Sequence, residues 1–401
     1  MRFIPAQSNG FFLHWICILM SGQEVLNSPN EQFVVDTLPP VSLSYADVTE
    51  LSTTSTRPTW DTNGYVMFCP CMGNFGNQVE YLIGTLAFAK SIDRTLVLPP
   101  FRVKKNVPFT EWFLVEPFEE LHRVITMEEF LENFGVDKWP PGKRVGYCGM
   151  EPTSPHECNM KVGTPLKPFW DELNIDFDDH EKYNIGVHAD ITNEKRTMEL
   201  TTKWNERYPV SEHPVIVFRF PPAPYPMQPG NRQIQRYLQW NPNIFAYAEH
   251  EISRMFNGET FLGIHLRTGP DWVVCCRTTL GSEGVMASTQ CLAPGEHVFE
   301  NMCYPTVEHI VNLTKEAVVK HSLQHLFIAT DKLSYSHELN TALKPLGVKV
   351  HHLDPLLPQM DLMILGEADF FIGNCASSFT SFVKRQRDAN GKPSTFWGFP
   401  V

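Results

Sequence analysis

The sequence predicts an α/β protein built from two halves, because strand and helix patterns alternate along the chain. Tyr65-Val-Met-Phe-Cys69 has the apolar composition of a buried strand, and in the run that follows apolar residues recur at helix spacing from Val79 to Ala89. Thr95-Leu-Val-Leu98 is the next strand. A strand, a crossover helix and a strand make a βαβ unit, and such units form parallel sheets.

The C-terminal third repeats this alternation more clearly, and Asp331 is placed to start one of its helices. The segment from about 105 to 235 is rich in Pro and aromatic residues, so its elements are located only loosely. We expect a boundary near residue 235, with domains at 61–235 and 236–401. The pattern predicts strands at 261–266, 326–329, 348–350 and 370–372, and helices at 306–321, 359–366 and 378–387.

Length and composition agree with two globular domains. The chain has 401 residues, which exceeds the size at which a single core usually stops growing, and ligands often bind in the crevice between two domains. Hydrophobic residues make up 42% and charged residues 19%, as in ordinary globular proteins. A net charge of −12 argues against sequence-independent nucleic-acid binding, which requires a basic face.

The N-terminus has the features of a signal peptide over residues 1–22. Arg2 supplies the positive charge, and Phe11–Met20 is an apolar run too short to span a bilayer as a helix. An ordinary buried segment is the alternative. Residues 23–60 are rich in Ser, Thr and Pro and are predicted to form a flexible leader. No other stretch approaches the ~18 apolar residues of a membrane anchor.

The cysteines favour disulfides over a metal site. There are ten, of which Cys17 lies in the predicted signal, and the rest include no CxxC pair with a His-rich partner cluster, so zinc is disfavoured. Disulfide bonds fit a secretory protein and would leave one thiol over. Asn312-Leu-Thr314 is an N-glycosylation acceptor sequence, which agrees with that setting.

The first candidate binding turn is Gly73-Asn-Phe-Gly-Asn-Gln78, between a strand and a helix. Ligands of open α/β sheets bind at such turns, where glycines admit close approach and the helix N-terminus offers N–H groups. Asn77 could bind a sugar or an incoming hydroxyl. The alternative is a tight turn with Asn77 as the helix N-cap, which local chemistry alone slightly favours. The turn is not GxGxxG, so a dinucleotide is disfavoured.

The second candidate is His265-Leu-Arg267, followed by Asp271-Trp272. On a strand, His265 and Arg267 share one face while Leu266 points the other way. Arg267 falls at the carboxyl end of the strand, where a guanidinium can clamp phosphate oxygens. The alternative is a structural pair between Arg267 and a carboxylate such as Asp271. We favour the ligand.

The third candidate follows the last strand, where Ser377, Ser378 and Thr380 open a helix. These hydroxyls suit both helix capping and phosphate binding. Asp361 is either a solvated carboxylate or a group that accepts hydrogen bonds from a guanine. Three turns suited to phosphate, without a metal cluster, indicate a nucleotide-sugar site. GxSxG, HExxH and P-loop motifs are missing from the sequence.

Several segments, in one order, carry a family resemblance over about residues 63 to 399. They are Phe68-Cys-Pro-Cys-Met-Gly-Asn-Phe-Gly-Asn-Gln78, Leu86-Ala-Phe-Ala-Lys90, Arg94-Thr95 with Pro99-Pro100, Trp139-Pro-Pro141, Gly263-Ile-His-Leu-Arg267 with Asp271-Trp272, Ala329-Thr-Asp331, and Ile364-Leu-Gly366 to Arg387. As a set they resemble the GDP-fucose protein O-fucosyltransferases of the type that modifies EGF-like repeats.

The resemblance implies a GT-B fold, in which two Rossmann-like domains face a cleft. It implies a peptide-O-fucosyltransferase that inverts the anomeric centre of GDP-fucose without a metal or another cofactor. The acceptor would be a Ser or Thr of folded EGF-like repeats in proteins such as Notch receptors. The implied location is the endoplasmic reticulum lumen, although no KDEL-like retention signal is evident at Gly398-Phe-Pro-Val401.

The resemblance also implies roles for residues of the three turns. Arg267 and Asn77 would be catalytic, the first by stabilising the leaving group and the second by orienting the acceptor hydroxyl. Asp361 would meet the guanine. The implied GDP-fucose-binding residues are Asn74, Phe75, Gly76, Asn77, His265, Leu266, Arg267, Asp361, Ser377, Ser378 and Phe379.

The implied disulfides are Cys69–Cys71, Cys148–Cys158, Cys276–Cys303 and Cys291–Cys375, which leave Cys275 as the odd thiol. Other functions compete with the implied one. An O-fucosyltransferase for thrombospondin-type repeats shares the general fold, and a folding helper could bind EGF-like repeats without catalysis. A lectin-like protein would have no reason to keep three phosphate-suited turns. The Cys-Pro-Cys-Met-Gly segment favours the EGF-repeat type, and intact Arg267 and Asn77 favour an enzyme.

Overall fold

A computed structural model describes residues 58–149, 158–355 and 357–401. Its first half is a parallel sheet with helices on both faces and a small antiparallel pair. The strands are β1 Tyr65–Phe68, β2 Thr95–Leu98, β3 Phe101–Arg102, β4 Asn106–Val107, β5 Val124–Thr126, β6 Val145–Gly149, β7 Asp179–Tyr183 and β8 Val215–Phe218. The order in the six-stranded sheet is β5-β2-β1-β8-β6-β7, while β3 pairs with β4.

The helices of the first half include one that is buried almost all round. They are α1 Phe75–Ser91, α2 Phe109–Trp112, α3 Glu116–Glu119, α4 Met127–Phe134, α5 Leu166–Glu172 and α6 Glu194–Arg207, followed by a 3-10 helix at Pro229–Tyr237. Every residue of α1 except Lys90 is buried, which is typical of a helix covered on all sides.

The second half contains a five-stranded parallel sheet. Its strands are β9 Phe261–Leu266, β10 His325–Thr330, β11 Lys349–His352, β12 Phe370–Gly373 and β13 Ser394–Phe396, in the order β11-β10-β9-β12-β13. Its helices are α7 Pro242–Phe256, α8 Pro270–Thr279, α9 Glu300–Cys303, α10 Val307–His321, α11 Ser336–Leu343, α12 Gln359–Glu367 and α13 Ser378–Ala389, with 3-10 turns at Ser288–Gln290 and Lys344–Leu346.

Helices α1 and α13 pack against each other and join the two halves. An aromatic cluster lies beside this contact: Phe75 of α1 lies 6.2 Å from Trp240 and 6.4 Å from Phe382 of α13, measured between ring centroids. Trp240 and Phe382 are themselves 5.2 Å apart. One continuous core therefore contains side chains from both sheets. Since α13 starts where β12 ends, the contact brings the carboxyl ends of β1 and β12 together.

The predicted α/β class with two parallel sheets is confirmed, and the strands predicted at 95–98 and 261–266 have the observed bounds. The prediction that Asp331 starts a helix is wrong, because α11 begins at Ser336. Residues 1–57, which hold the predicted signal and most of the leader, lie outside the described residues. The boundary near 235 stays a prediction. No helix in the described part of the chain is long and apolar enough to cross a membrane.

The four predicted disulfides are confirmed. Two of them hold the segment between β9 and α10: Cys276–Cys303 closes it on itself, and Cys291–Cys375 ties it to the loop before α13. The prediction that Cys275 is an odd thiol is wrong, because Cys275 is also disulfide-bonded. Asn312 has an exposed side chain on α10, and its glycosylation stays a prediction.

Candidate active site

The candidate site begins where the N-termini of α1 and α13 meet. The two backbones are so close that a Cβ atom on Gly76 would lie 2.9 Å from the carbonyl carbon and oxygen of Ser378 and 3.0 Å from the nitrogen of Phe379. Only glycine fits at this contact. Two helix N-termini that converge offer unpaired N–H groups and positive dipole ends to one anion.

Asn77 lies in the first turn of α1 and is 3% exposed. The proposed capping role for Asn77 is wrong, since Asn74 occupies the N-cap position. The Oδ1 atom of Asn77 accepts a hydrogen bond of 3.0 Å from the Tyr225 hydroxyl. The amide of Asn77 is therefore held by a second segment of the first half.

His265 comes near the end of β9 and is buried against α13. Its Nδ1 lies 2.7 Å from Oγ1 of Thr380, and its ring lies 4.6 Å from that of Phe379. Burial, helped by the positive charge of Arg267, lowers the pKa of His265 to about 3. The imidazole is consequently neutral at physiological pH and can take part in hydrogen bonds without carrying charge.

Arg267 follows β9 and forms ion pairs with two carboxylates. Its Nη2 lies 2.5 Å from Oδ2 of Asp271, and its Nη1 contacts Oδ2 of Asp331. The guanidinium also lies 5.6 Å from the ring of Trp272. The structural pair with Asp271, which the sequence left as an alternative, is therefore present. Its side chain keeps 17% of its surface exposed.

Asp331 explains how Arg267 is held. Its two carboxylate oxygens accept hydrogen bonds from the backbone nitrogens of Thr268 at 2.7 Å and Gly269 at 3.1 Å. The carboxylate thus fixes the loop after β9 as well as the guanidinium. A rigid, charge-paired arginine at the carboxyl end of a strand is suited to receive a phosphate.

Asp361 lies apart from these residues on α12, which packs beside α13. It is 5% exposed, and its Oδ1 has no hydrogen-bond partner within the described residues. Burial, reinforced by Asp354, raises the pKa of Asp361 well above its usual value. The alternative of a solvated carboxylate is wrong. A buried carboxyl oxygen without a partner is costly and marks a place for a ligand donor.

The remaining predicted residues divide by the direction of their side chains. Phe75 and Leu266 point into the core, so only their backbones face the site. Ser377 is buried at the N-cap position of α13 without a capping bond from its side chain. Ser378 and Phe379 are partly exposed, and Asn74 is exposed. Contacts link Gly76, Asn77, His265, Ser378 and Phe379. Arg267 is connected to this group by the backbone, because it directly follows β9, the strand that carries His265.

Four further residues hold the site together, and of these the sequence singled out only Thr380 as a candidate. Tyr225 contacts Asn77, Asp331 pairs with Arg267, and Thr380 accepts from the backbone nitrogen of Asn374 while bonding His265. Trp397 donates from Nε1 to the carbonyl oxygen of His265 at 2.9 Å. Asp331 and Thr380 lay in segments that drew attention for other reasons, whereas Tyr225 and Trp397 carried no motif at all.

The site as a whole is built for an anion next to a polar amide. The N-termini of α1 and α13 meet, the neutral imidazole of His265 contacts α13, and Arg267 follows the strand that carries His265. In the described ranges, no group of three or more His, Cys, Asp or Glu side chains is placed to hold a metal ion.

Comparison with known proteins decides the family. The model of the GDP-fucose protein O-fucosyltransferase family matches residues 65–390, which contain both sheets. The chain belongs to this family. It is therefore an enzyme of the glycosyltransferase class, as the sequence predicted. It is 37% identical over 358 residues to GDP-fucose protein O-fucosyltransferase 1 of Caenorhabditis elegans, covering 84% of this chain and 91% of the relative.

Solved structures agree with this assignment. The apo form of POFUT1 superposes with a TM-score of 0.79 at 37% identity, covering 85% of this chain and 100% of that one. POFUT1 in complex with GDP-fucose gives a TM-score of 0.77, covering 86% of this chain and 100% of that one. The predicted fold is thus shared along nearly the whole length of the described residues.

Proposed function

We propose that this fucosyltransferase moves fucose from GDP-fucose to a Ser or Thr hydroxyl of folded EGF-like repeats, with inversion and without a metal. The observation that carries the proposal is the setting of Arg267. Its guanidinium is held by Asp271 and Asp331, and its side chain is 17% exposed. Arg267 directly follows the strand whose His265 contacts α13. A donor diphosphate placed there would meet a guanidinium held in one position, whose N–H groups can clamp phosphate oxygens.

Charge development gives Arg267 its role. Breaking the bond between fucose and phosphate leaves negative charge on GDP and positive charge on the sugar. A preorganised guanidinium stabilises that anion without reorganising in the transition state. The N-termini of α1 and α13 add their dipole ends. These groups supply the stabilisation that a metal ion provides in other transferases, which supports a metal-independent reaction.

Asn77 lies in the first turn of α1, where its side chain is an amide and not a carboxylate. An amide cannot take a proton from the acceptor, but it can hold the acceptor hydroxyl in line with the anomeric carbon. None of the predicted site residues supplies an evident carboxylate base, since Asp271 is paired with Arg267 and Asp361 is assigned to the guanine. A dissociative path with an oxocarbenium-like sugar, attacked from the face opposite the phosphate, fits this set and predicts inversion.

Asp361 supports guanine as the base of the donor. Its carboxyl group is buried and its Oδ1 has no partner among the described residues. A guanine presents N1–H and an exocyclic amine on one edge, which match the two oxygens of one carboxylate. Adenine and uracil present no such pair of donors, so the carboxyl group selects GDP over other nucleotide diphosphates.

The acceptor and the compartment are supported by less direct observations. Four disulfides join pairs of described residues, and disulfides form in oxidising compartments, which supports the endoplasmic reticulum lumen. The segment from Phe68 to Gln78 carries the resemblance to the EGF-repeat type. Thrombospondin-type repeats are the second candidate acceptor.

Intact-mass analysis of a folded EGF-like repeat tests the proposal. The repeat is incubated with the protein, GDP-fucose and EDTA, and we expect a gain of one deoxyhexose. Arg267→Ala should lower the rate by roughly 10² to 10³. The matched control is Arg277→Ala, which removes an exposed arginine from the end of α8 and should leave the rate unchanged.

Each other outcome has a definite meaning. Transfer only to a thrombospondin-type repeat would replace the proposed acceptor. Binding of either repeat without transfer would indicate a folding helper. Full activity of Arg267→Ala would refute the proposed mechanism, and loss of activity on addition of EDTA would refute metal independence. NMR of the product settles the anomeric configuration.

A further inference from the structure

The hydroxyl of Tyr225 lies between the two halves at the candidate site. It donates a 3.0 Å hydrogen bond to Oδ1 of Asn77 on α1. The Ser378 side chain, at the start of α13, hydrogen-bonds to the same phenol. The ring packs against Tyr81, with centroids 5.5 Å apart. One phenol therefore touches a predicted site residue from each half.

The direction of these hydrogen bonds follows from the chemistry of the three groups. Burial, assisted by the charge of nearby Glu80, raises the pKa of Tyr225 well above its usual value, so the phenol stays protonated. A phenol has one proton to donate, and Asn77 receives it. The Ser378 hydroxyl is then the donor to the phenol oxygen. The chain of bonds runs from Ser378 through Tyr225 to Asn77.

This series of hydrogen bonds fixes the amide of Asn77 in one of its two orientations. An amide carries an acceptor oxygen and a two-proton donor nitrogen, which exchange places when the group turns over. The Tyr225 proton requires the oxygen on its side. The nitrogen then lies over Gly73, where a Cβ atom would come within 1.9 Å of Nδ2. Gly73 has a φ of +70°, so glycine suits both the turn and the amide above it.

We propose that Tyr225 is a positioning residue for fucose transfer, which sets the amide of Asn77 so that its Nδ2 faces the turn at Gly73, while the Tyr225 hydroxyl ties Asn77 to Ser378. The inference rests on the proposed function, because it assigns to Tyr225 an effect on the transfer step. Nothing in the role requires Tyr225 to contact GDP-fucose or the acceptor.

The expected effect concerns the rate more than binding. Misplacing a group by about 1 Å can cost on the order of 10² in rate, because the reacting atoms lose alignment. Asn77 without Tyr225 would sample both amide orientations, while Arg267 and the helix N-termini would still bind the diphosphate. Tyr225 should therefore influence kcat and leave the KM for GDP-fucose nearly unchanged.

Tyr225→Phe tests this with the removal of a single oxygen atom. We expect kcat to fall by about 10- to 100-fold, with the KM for GDP-fucose within about twofold of the wild type. The matched control is Tyr81→Phe, which removes a hydroxyl from the neighbouring ring and should leave both constants unchanged. A proportional rise in KM without a change in kcat would overturn the inference, as would wild-type kinetics in Tyr225→Phe.

A double-mutant cycle separates positioning from general support of the fold. If Tyr225 acts through Asn77, Tyr225→Phe should cost nothing further in an Asn77→Ala background. Equal, additive losses in both backgrounds would overturn the inference, because they would indicate a structural effect independent of Asn77. The thermal midpoints of all four proteins show whether folding is affected.

The two proposals fail in different ways. A wild-type protein that transfers fucose to neither type of repeat overturns the proposed function and the inference with it. A wild-type protein that transfers fucose, together with an unaffected Tyr225→Phe variant, overturns the inference alone.

Discussion

Glu80 and Arg385 form a buried ion pair that joins α1 to α13. Their side chains are 2% and 6% exposed. The Oε1 atom of Glu80, which pairs with Arg385, also accepts a 2.7 Å hydrogen bond from the Ser381 hydroxyl. The Nε atom of Arg385 donates a hydrogen bond to Oε1 of Gln235 at 3.0 Å. The two helices whose N-termini form the site are thereby fixed to each other in their second and third turns.

We expect Glu80→Ala to destabilise the protein by about 3–5 kcal/mol, because removing one partner of a buried pair leaves the other charge uncompensated. Chemical denaturation monitored by tryptophan fluorescence measures the change. The control is Lys384→Ala, which breaks an exposed pair with Asp388 on the same helix and should cost no more than about 1 kcal/mol. Equal effects of the two variants would contradict the role assigned to burial.

Gly76→Ala should impair the site through sterics alone. The new methyl group would lie 2.9 Å from the Ser378 backbone, so α1 and α13 must separate at their N-termini. Overpacking of this kind costs about 1–3 kcal/mol. We expect weaker GDP binding by calorimetry and a lower transfer rate. Gly186→Ala is the control, since its Cβ would meet nothing within 4 Å. Unchanged GDP affinity in Gly76→Ala would show that the contact does not shape the site.

Asp361→Asn should weaken GDP binding and stabilise the unliganded protein. The carboxylate is expected to contribute hydrogen bonds of about 1.5–3 kcal/mol to the guanine, so the Kd should rise by roughly 10- to 100-fold. Isothermal calorimetry with GDP measures this. An Asn variant that binds GDP as tightly as the wild type would exclude a guanine contact at Asp361.

The effect of Asp361 on stability has a defined pH dependence. Its pKa is higher in the folded state than in the unfolded state, so the folded protein holds the extra proton. Stability is full below the unfolded pKa near 3.8 and is lost as pH rises through the folded pKa. The thermal midpoint of Asp361→Asn should therefore exceed that of the wild type increasingly as pH rises. A difference that does not vary with pH would contradict the shift.

The contribution of His265 to stability should have the opposite pH dependence to that of Asp361. Its pKa falls from 6.5 to about 3 on folding, so the unfolded chain binds the proton first. Stability is full above about pH 6.5 and is lost as pH falls toward 3. Denaturation midpoints between pH 7 and pH 4 should fall more steeply for the wild type than for His265→Gln. Replacement of the exposed His352 by Gln serves as the control and should leave the slope unchanged.

The sequence predicted those parts of the fold in which local pattern and burial agree. Thr95–Leu98 and Phe261–Leu266 are short apolar runs bounded by turn residues, and their bounds were correct. The segment from 105 to 235 was located only loosely, because most of its helices are short and its many Pro and aromatic residues give no clear period. Periodicity cannot distinguish such packing from the face of a single helix.

The candidate site shows the same limit. His265, Arg267 and Asn77 stood out because polar side chains at the ends of apolar strands or turns need partners. Apart from Asp271, their partners did not stand out: Asp331 was assigned to a helix start, and Tyr225 lies in a Pro-rich stretch without a motif. Hydrogen bonds between residues 62 to 148 positions apart are set by tertiary structure, which no local pattern records.

The shared aromatic cluster and the buried ion pair have a consequence for how substrates enter. The two halves pack together along α1 and α13, so a hinge motion that separated them would expose Phe75, Trp240 and Phe382 to water. We therefore expect donor and acceptor to enter without a separation of α1 from α13. For the same reason, we expect cleavage of the polypeptide near residue 235 to give two fragments that each expose apolar core surface, are insoluble alone and regain the fold only when refolded together.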